Sequence, residues 1–283
     1  MEKSIMILSC KNDDDVTDFI CGNDAIYHFT KKETAIEKIW YKKQLLFGAF
    51  GGTNDPHEYK PRMTSAGGWA WDDALEMELP KITRLIDRKI MSSGILSFCQ
   101  NRYDGQKIIE QGCLKSRMWS QYGQNHSGIC LVFSKNNLLK AIEDTFPSNH
   151  LIFNENVDYI QFSSSRVRDS LSINGGEIEQ TGIYEIAFMH LEANSESIFF
   201  KKHLDYKDEN EFRVVVVPKD RNSTHGHVVD ISSSIKAIIL GDSFPEIYLP
   251  TVRELSEITQ VPFRKLHWEK GQYFLFSMNK NIR

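Results

Sequence analysis

Apolar segments alternate with polar turn residues along the whole chain, and this pattern predicts an irregular succession of strands and helices. Runs of β-branched and aromatic residues predict strands, and these lie at residues 25–30, 44–50, 94–100, 128–133, 157–162, 212–217 and 235–240. A hairpin over residues 261–268 and 272–278 closes the chain. Apolar residues at helical spacing predict helices, and these lie at residues 33–43, 72–92, 118–122, 135–144, 177–204 and 250–259.

For two of the predicted helices, the sequence pattern allows either one continuous helix or two shorter ones. Pro80 falls inside the segment 72–92 and marks a break or a restart of the helix. The segment 177–204 is long enough to be one long helix or a broken pair. The strands outnumber the helices that could connect parallel neighbours, which favours an α+β fold with a mixed, mainly antiparallel central sheet.

The domain organisation follows from turn signals and from the absence of linkers. Residues Cys21 to Asp24 form a turn signal, so residues 1–22 are interpreted as an N-terminal extension. No repeat and no low-complexity linker interrupts the remainder. Residues 23–283 are therefore interpreted as a single α+β catalytic domain.

Composition narrows the class of protein. The 283 residues are 41% hydrophobic, 25% charged and 11% aromatic, which is typical of a globular protein with an aromatic-rich core and excludes disordered, collagen-like and coiled-coil classes. The formal net charge of −4 argues against binding nucleic acid through bulk charge, although it leaves room for a local basic groove.

Compartment and metal content are predicted from what the chain lacks. No apolar run reaches the roughly 20 residues that a bilayer span requires, and the first residues do not resemble a signal peptide. Five cysteines, with no C-x-x-C pair, argue against a disulfide framework or a zinc site. The pair His225 and His227 lies in a turn and lacks a third ligand. We expect a cytoplasmic protein without a membrane partner and without a metal.

Common nucleotide and hydrolase motifs are missing, but in four segments polar residues interrupt core-like sequence. These are residues 27–30 (YHFT), 53–58 (TNDPHE), 117–128 (RMWSQYGQNHSG) and 202–213 (KHLDYKDENEFR). Each also has a structural interpretation: a satisfied strand histidine, a tight turn, a loop with aromatic anchors, and a solvated charged turn.

The last two segments have the clearest chemistry. Trp119 and Tyr122 lie among polar side chains in a connection between two strands, a combination that can stack a flat heterocycle and hydrogen-bond its substituents. Glu209 and Glu211 stand two residues apart before the strand FRVVVV, and at strand spacing they would share a face. Beside Lys202 and Arg213, two such carboxyl groups can have different pKa values and different roles.

Taken together, these motifs resemble Domain of Unknown Function family 2971, a bacterial family. The resemblance lies in N-D-P-x-E at residues 54–58, S-F-C at 97–99, M-W-x-x-Y-x-x-x-H-x-G at 118–128, K-x-x-x-Y-x-x-E-x-E-x-R at 202–213 and IKAIILG at 235–241. It extends from about Tyr27 to the closing hairpin. Tyr206 stands where the family usually has Trp.

The layout also resembles that of ADP-ribosyltransferases, and this resemblance implies a function. In those enzymes a His or Arg on the first core strand grips the ribose of NAD, an aromatic residue stacks on nicotinamide, and a Glu near a late strand is catalytic. The resemblance thus implies an ADP-ribosyltransferase-like fold and an NAD-dependent ADP-ribosyltransferase, with NAD as a substrate. RNA or DNA is favoured over protein as the acceptor.

The resemblance implies roles for particular residues. Glu211 stabilises the oxocarbenium-like cation and Glu209 orients or deprotonates the acceptor. His28 hydrogen-bonds the adenosine-side ribose. The remaining candidates are Tyr122 or Trp119 for stacking, Arg117 or Arg213 for the pyrophosphate, Asn54 in a turn that either closes the site or only holds the fold, and Tyr27, Thr30 and His126 as further NAD-binding residues.

Two alternatives use the same segments. An NAD glycohydrolase would transfer ADP-ribose to water only. A non-catalytic module would bind a nucleotide or nucleic acid through Trp119 and Tyr122, with Lys201, Lys202, Arg166 and Arg168 on the phosphates. For the biological role, families of this kind resemble toxins of toxin–antitoxin systems and phage-defence effectors, which implies a neutralising antitoxin or chaperone protein as partner.

Overall fold

The structure is a computed structural model that describes residues 15–55, 58, 73–146, 149–161, 178, 180–220 and 227–277. Fifteen strands occur in this part of the chain. In chain order, β1 to β15 are Ala25–Thr30, Gln44–Leu46, Gly48–Ala49, Gly94–Gln100, Arg102–Asp104, Lys107–Glu110, Ile129–Ser134, His150–Asn156, Asp158–Ile160, Lys201–His203, Glu211–Pro218, Val228–Asp230, Ile235–Leu240, Phe263–Glu269 and Gln272–Ser277.

Seven α-helices accompany these strands within the described residues. In chain order, α1 to α7 are Asp15–Ile20, Asp73–Ser92, Ser116–Gln121, Lys135–Thr145, Ile183–Ala193, Ser195–Phe199 and Leu249–Thr259. A π-helical segment covers Thr34–Trp40, and short 3₁₀ turns lie at Phe50–Gly52, Gly112–Leu114, Leu204–Glu209 and Glu246–Tyr248.

Nine strands form one central sheet. Eight of them lie in the order β15-β14-β13-β7-β1-β4-β11-β8, and β3 joins β4 beside this path. Every pairing in this sheet is antiparallel except that of β13 with β14. The predicted α+β fold with a mainly antiparallel sheet is therefore confirmed.

Helices cover both faces of the central sheet, as the two sides of β11 illustrate. Its run of valines is buried on both sides, because alternate residues of a strand point to opposite faces. Val214 and Val216 belong to the hydrophobic cluster of the first face, which also contains residues of α4, α7 and the π-helical segment. Val215 and Val217 pack with α2 and α5 on the second face. A further cluster on that second face, around α3, contains Tyr27, Trp119 and Ile20.

The sheet splits between β1 and β4. These two strands pair only at Ile26 with Gln100 and at Tyr27 with Cys99. Beyond that point β1 stays paired with β7, and β4 stays paired with β11. Strand β3 reaches β4 again at Ile95. Among the described strands, none pairs with residues 96–98 of β4 on this side, so a cleft opens opposite the second half of β1.

Most predicted elements are present with shifted ends. Pro80 lies inside α2 without ending it. The segment predicted as one long helix or a broken pair is the pair α5 and α6, followed by β10. The prediction of one strand at 157–162 was incomplete, because β8 precedes β9; Phe162 lies outside the described residues. The hairpin of β5 and β6 was not predicted.

The proposed N-terminal extension is only partly described. Helix α1 packs onto the second face through Ile20, whose carbonyl oxygen accepts a 2.6 Å hydrogen bond from the Tyr27 hydroxyl. Residues 1–14, including Cys10, lie outside the described residues. In the described part of the chain, no helix has the length and apolar character of a membrane span.

Candidate functional site

A cavity of about 340 Å³ occupies the cleft between β1 and β4. This volume is in the range of small-molecule sites. Aromatic and aliphatic side chains of β1 and β4 form one part of its wall, and the loop after β3 forms another. Its polar end is formed by Lys202, Glu209, Glu211 and Arg213. The split in the sheet thus places a charged cluster at the end of a mostly apolar cleft.

Glu211 begins β11 and is held by two cations. Its Oε1 accepts a 2.8 Å hydrogen bond from Arg213 Nε, and its Oε2 accepts from Arg213 Nη2 at 3.0 Å. Lys202 Nζ lies 3.2 Å from the same Oε2. All three side chains are buried. The two-residue spacing along β11 puts Glu211 and Arg213 on one face of the strand.

Glu209 also contacts Lys202, but it does not do so from the strand position that the sequence predicted. It ends a 3₁₀ turn and does not belong to the strand, so a shared strand face does not explain its position. Asn210, in the left-handed conformation with φ 45°, reverses the chain between the two glutamates. Lys202 Nζ donates to Glu209 Oε2 over 2.7 Å. A common lysine therefore brings the two carboxylates together.

Glu58 is a third member of this cluster. Its Oε1 accepts a 2.7 Å hydrogen bond from Arg213 Nη2, and its side chain is almost fully buried. Its Oε2 has no hydrogen-bond partner among the described residues. In the sequence, Glu58 stands out only as the last residue of the motif N-D-P-x-E. The acidic residue at the end of a predicted turn was the available signal for its role.

The buried cluster contains three carboxyl groups and two cations. Burial alone would raise the pKa of Glu211, but Arg213 and Lys202 lower it to about 2. Burial raises the pKa of Glu58 although Arg213 opposes this change. Burial alone would lower the pKa of Lys202, but Glu211 and Glu209 raise it. Glu211 is therefore ionised at any physiological pH.

Tyr122 and Asn54 connect the cluster to the rim of the cavity. The Tyr122 hydroxyl donates to Glu209 Oε1 over 2.8 Å, and Asn54 Nδ2 donates to the Tyr122 oxygen over 3.2 Å. The Tyr206 hydroxyl donates to the Asn54 carbonyl oxygen over 3.4 Å. Burial and the nearby Glu209 raise the pKa of Tyr122, so its hydroxyl stays protonated.

His28 faces the cavity from β1, on the opposite wall. Its Nδ1 lies 3.2 Å from the carbonyl oxygen of Ser97 across the split. Burial lowers the pKa of His28, which favours the neutral ring. Because a carbonyl oxygen only accepts, Nδ1 carries the hydrogen and Nε2 is left as an acceptor. This nitrogen suits a ligand hydroxyl.

Several candidate residues do not line the cavity: Thr30, Arg117, Trp119 and His126. The Trp119 ring is fully buried, donates from Nε1 to the Cys113 carbonyl oxygen over 2.7 Å and packs edge-on against Phe29. It has no free face for a heterocycle, so of the two predicted stacking residues only Tyr122 lines the cavity.

The other three residues have local partners instead. Arg117 donates to the Asp205 carbonyl oxygen over 2.8 Å, and His126 Nδ1 lies 3.2 Å from the Tyr273 hydroxyl. Thr30 ends β1 opposite Ile129. These contacts give no support to direct binding of a cavity ligand.

Tyr27 and Arg213 line the cavity but are occupied elsewhere. The Tyr27 hydroxyl is 2.6 Å from the Ile20 carbonyl oxygen and 3.0 Å from Asn101 Oδ1. The Arg213 guanidinium binds Glu58, Glu211 and the Phe199 carbonyl oxygen. A pyrophosphate contact from Arg213 would require these bonds to break, and the structure does not support that role.

The structure also bears on the residues that the alternative of a non-catalytic binding module places on the phosphates. Lys202 is buried in ion pairs and cannot meet a nucleic-acid phosphate. Arg166, Arg168 and His225 lie outside the described residues. Among the described residues, no three His, Cys, Asp or Glu side chains are grouped so that they could hold a metal.

A protein family matches the part of the chain that carries most of the charged cluster. Residues 118–214 match the model of a family described as protein of unknown function, DUF2971. Over these residues the match supports the family resemblance that the sequence motifs predict. The DUF2971 match covers about a third of the chain and includes Tyr122, Lys202, Glu209, Glu211 and Arg213. Neither the curated proteins nor the solved structures contain a match to the chain.

Proposed function

We propose that this DUF2971 protein is an NAD-dependent ADP-ribosyltransferase. The observation that carries the proposal is the buried pair Glu209 and Glu211, joined by Lys202 at the polar end of the cleft between β1 and β4. Against the effect of burial, Arg213 and Lys202 lower the pKa of Glu211 to about 2, so the cluster presents an ionised carboxylate to a ligand. Such a site stabilises positive charge that develops on the ligand.

Cleavage of the nicotinamide–ribose bond develops this kind of charge. The bond breaks with its electron pair moving to the pyridinium nitrogen, so neutral nicotinamide leaves and an oxocarbenium-like ribose remains. An ionised carboxylate beside the anomeric carbon lowers the barrier to that step, as in glycoside hydrolysis. Glu211, whose pKa is about 2, suits this electrostatic role and does not suit proton transfer.

The opposite wall offers contacts for the rest of NAD. The acceptor Nε2 of His28 suits a ribose hydroxyl, consistent with the ribose-binding role that the resemblance to ADP-ribosyltransferases implies. The phenol ring of Tyr122 lies at the same cavity and offers a stacking surface for nicotinamide. Asn54, hydrogen-bonded to Tyr122 at the rim, suits a turn that closes the site.

The acceptor completes the reaction. Its nucleophilic atom forms a bond to the anomeric carbon, and its proton leaves to Glu209 or to water. We favour RNA or DNA over protein as acceptor. With water as the acceptor the protein would be an NAD glycohydrolase, and the same residues would serve.

We also propose that the protein acts in the cytoplasm as a bacterial toxin or phage-defence effector, restrained by an antitoxin or chaperone protein. Consumption of NAD or modification of nucleic acid would arrest growth. Expression of the wild type should therefore arrest growth, and Glu211→Gln should relieve the arrest. Harmless wild-type expression in every strain, including infected ones, would exclude the toxin role.

Mass spectrometry of RNA, DNA and protein mixed with the enzyme and NAD tests the activity. A transferase adds the mass of ADP-ribose to one of these acceptors and releases an equal amount of nicotinamide. Release of nicotinamide with free ADP-ribose alone would indicate the glycohydrolase. If NAD stays intact in every mixture, the proposal is wrong.

A further inference from the structure

A second groove, of about 290 Å³, lies at the end of the sheet where β4 ends and β11 begins. We call it the amide groove and define it by Asn23, Gln100, Arg102, Asn156 and Asn210. Ala25, Asn101 and Tyr103 complete its lining, so no carboxylate lines it among the described residues. None of these side chains takes part in the charged cluster described above.

The amides of this groove retain unused hydrogen-bonding groups. Gln100 Nε2 donates to Asn156 Oδ1 over 2.9 Å, and Asn210 Nδ2 donates to the carbonyl oxygens of Gln100 and Asn101. Within the described residues, Gln100 Oε1, Asn156 Nδ2 and Asn210 Oδ1 have no protein partner. The groove therefore offers both donors and acceptors while it is held in shape by its own hydrogen bonds.

Donors and acceptors side by side match the edge of a nucleobase. Asn and Gln side chains can bond to two adjacent base atoms at once, one as donor and one as acceptor. Arg102 adds a positive charge whose side chain is 44% exposed, with its Nε 3.8 Å from Glu110 Oε2. A guanidinium in that position suits a phosphate of the same strand.

The groove is joined to the candidate active site through two strands. Asn210 lies between Glu209 and Glu211, and the backbone N–H of Gln100 donates to the Asn210 carbonyl oxygen over 3.1 Å. Cys99, next to Gln100, is paired with Glu211. Gln100 lies three positions along β4 from Ser97 at the cleft, a distance of about 10 Å along the strand.

We infer that the amide groove binds one base of a single-stranded nucleic acid, the acceptor of the transferred ADP-ribose. This inference rests on the proposed function for the acceptor role, although binding itself does not depend on NAD. The small volume suits one unstacked base and not a duplex. Among the described residues, Arg102 is the one charged residue that lines the groove, so binding of one base there is compatible with the acidic net charge of the chain.

Binding of a short fluorescent single-stranded RNA, and of DNA with the same sequence, tests the inference with the full chain and without NAD. We expect Gln100→Ala and Asn156→Ala each to raise the Kd by about tenfold. Asn154→Ala is the matched control, since Asn154 is also exposed, lies on β8 and pairs with Val214 outside the groove. It should bind as the wild type does.

Asn156→Asp keeps the size of the side chain and adds a negative charge, so it should weaken binding at least as much as Asn156→Ala. If the wild type binds RNA and DNA with equal affinity, and the groove variants weaken both to the same extent, the result supports recognition of the base. Affinity for RNA alone supports an added contact to the 2′-hydroxyl. Wild-type protein that binds neither strand, or groove variants that bind as the wild type does, would overturn the inference.

Nicotinamide release without nucleic acid separates this inference from the proposed function. The groove variants should release nicotinamide at the wild-type rate, while ADP-ribose transfer to nucleic acid falls. If no protein releases nicotinamide but the groove variants still lose RNA binding, the proposed function fails and the groove remains a binding site. If the wild type transfers ADP-ribose to protein and the groove variants do so at the same rate, the proposed role of the groove in binding the acceptor is contradicted.

Discussion

The hydroxyl group of Tyr122 donates to Oε1 of Glu209 over 2.8 Å, and this bond joins the rim of the cleft to its buried charges. From Glu209 the contacts continue through Lys202 and Glu211 to Arg213. Each charged group beneath the cleft is thus held by another. Substitutions along this chain should change stability and activity in ways that the contacts specify.

Removal of the Tyr122 hydroxyl leaves Glu209 Oε1 buried without its donor. We expect Tyr122→Phe to lower the free energy of unfolding by about 1–3 kcal/mol and to slow nicotinamide release. Urea unfolding measures the first effect. Tyr248→Phe is the control, because its hydroxyl has no hydrogen bond among the described residues, and it should change stability by about 0.5 kcal/mol or less. Equal stability of the two variants would show that the bond does not matter.

Arg213 is the cation on which two buried carboxyl groups depend. Arg213→Met keeps much of the side-chain volume but leaves Glu58 and Glu211 without their partner. We expect a loss of about 3–5 kcal/mol in the free energy of unfolding. Arg253→Met, at an exposed position on α7, should have little effect. A small loss for Arg213→Met would contradict this arrangement of buried charges.

Glu58 should make stability depend on pH. Because burial raises the pKa of Glu58 in the folded state, its contribution to stability is greatest at low pH and is lost as the pH rises through that pKa. The neutral variant Glu58→Gln removes this dependence. Its free energy of unfolding, relative to the wild type, should therefore increase between about pH 4 and pH 8.

Urea unfolding across this pH range measures the trend for Glu58. Glu155→Gln, at an exposed position on β8, is the control and should follow the wild type at every pH. A relative stability of Glu58→Gln that falls with rising pH would mean that the folded state favours ionised Glu58, and that Arg213 outweighs the effect of burial on this carboxyl group.

The sequence predicted individual strands best where the residues of the strand itself form a clear pattern. The buried run of β11 and the strand Ala25–Thr30 were predicted with little error, since β-branched and aromatic residues stand between clear turn signals. The split between β1 and β4 could not be predicted, because strand pairing depends on contacts distant in the chain. The hairpin β5–β6 was missed because its short strands are mostly polar.

In the candidate site, too, local patterns were predictable and contacts between distant parts of the chain were not. Glu209 and Glu211 were predicted to share a strand face from their two-residue spacing. They do lie together, but Glu209 ends a 3₁₀ turn, and a common contact with Lys202 joins it to Glu211. Trp119 looked like a stacking residue because its segment is polar, yet its ring belongs to the core. The role of Glu58 was hidden, since only the fold brings this residue to Arg213, 155 positions along the chain.

The central claim is that ionised Glu211 promotes cleavage of NAD, and nicotinamide release measures this directly. Glu211→Gln keeps the size of the side chain and removes its charge; Glu155→Gln makes the same change at an exposed site opposite Arg213 in the sheet. With folding verified by circular dichroism, we predict release by the wild type and Glu155→Gln, and a rate at least about 100-fold lower for Glu211→Gln. Release by Glu211→Gln at the wild-type rate would contradict the claim.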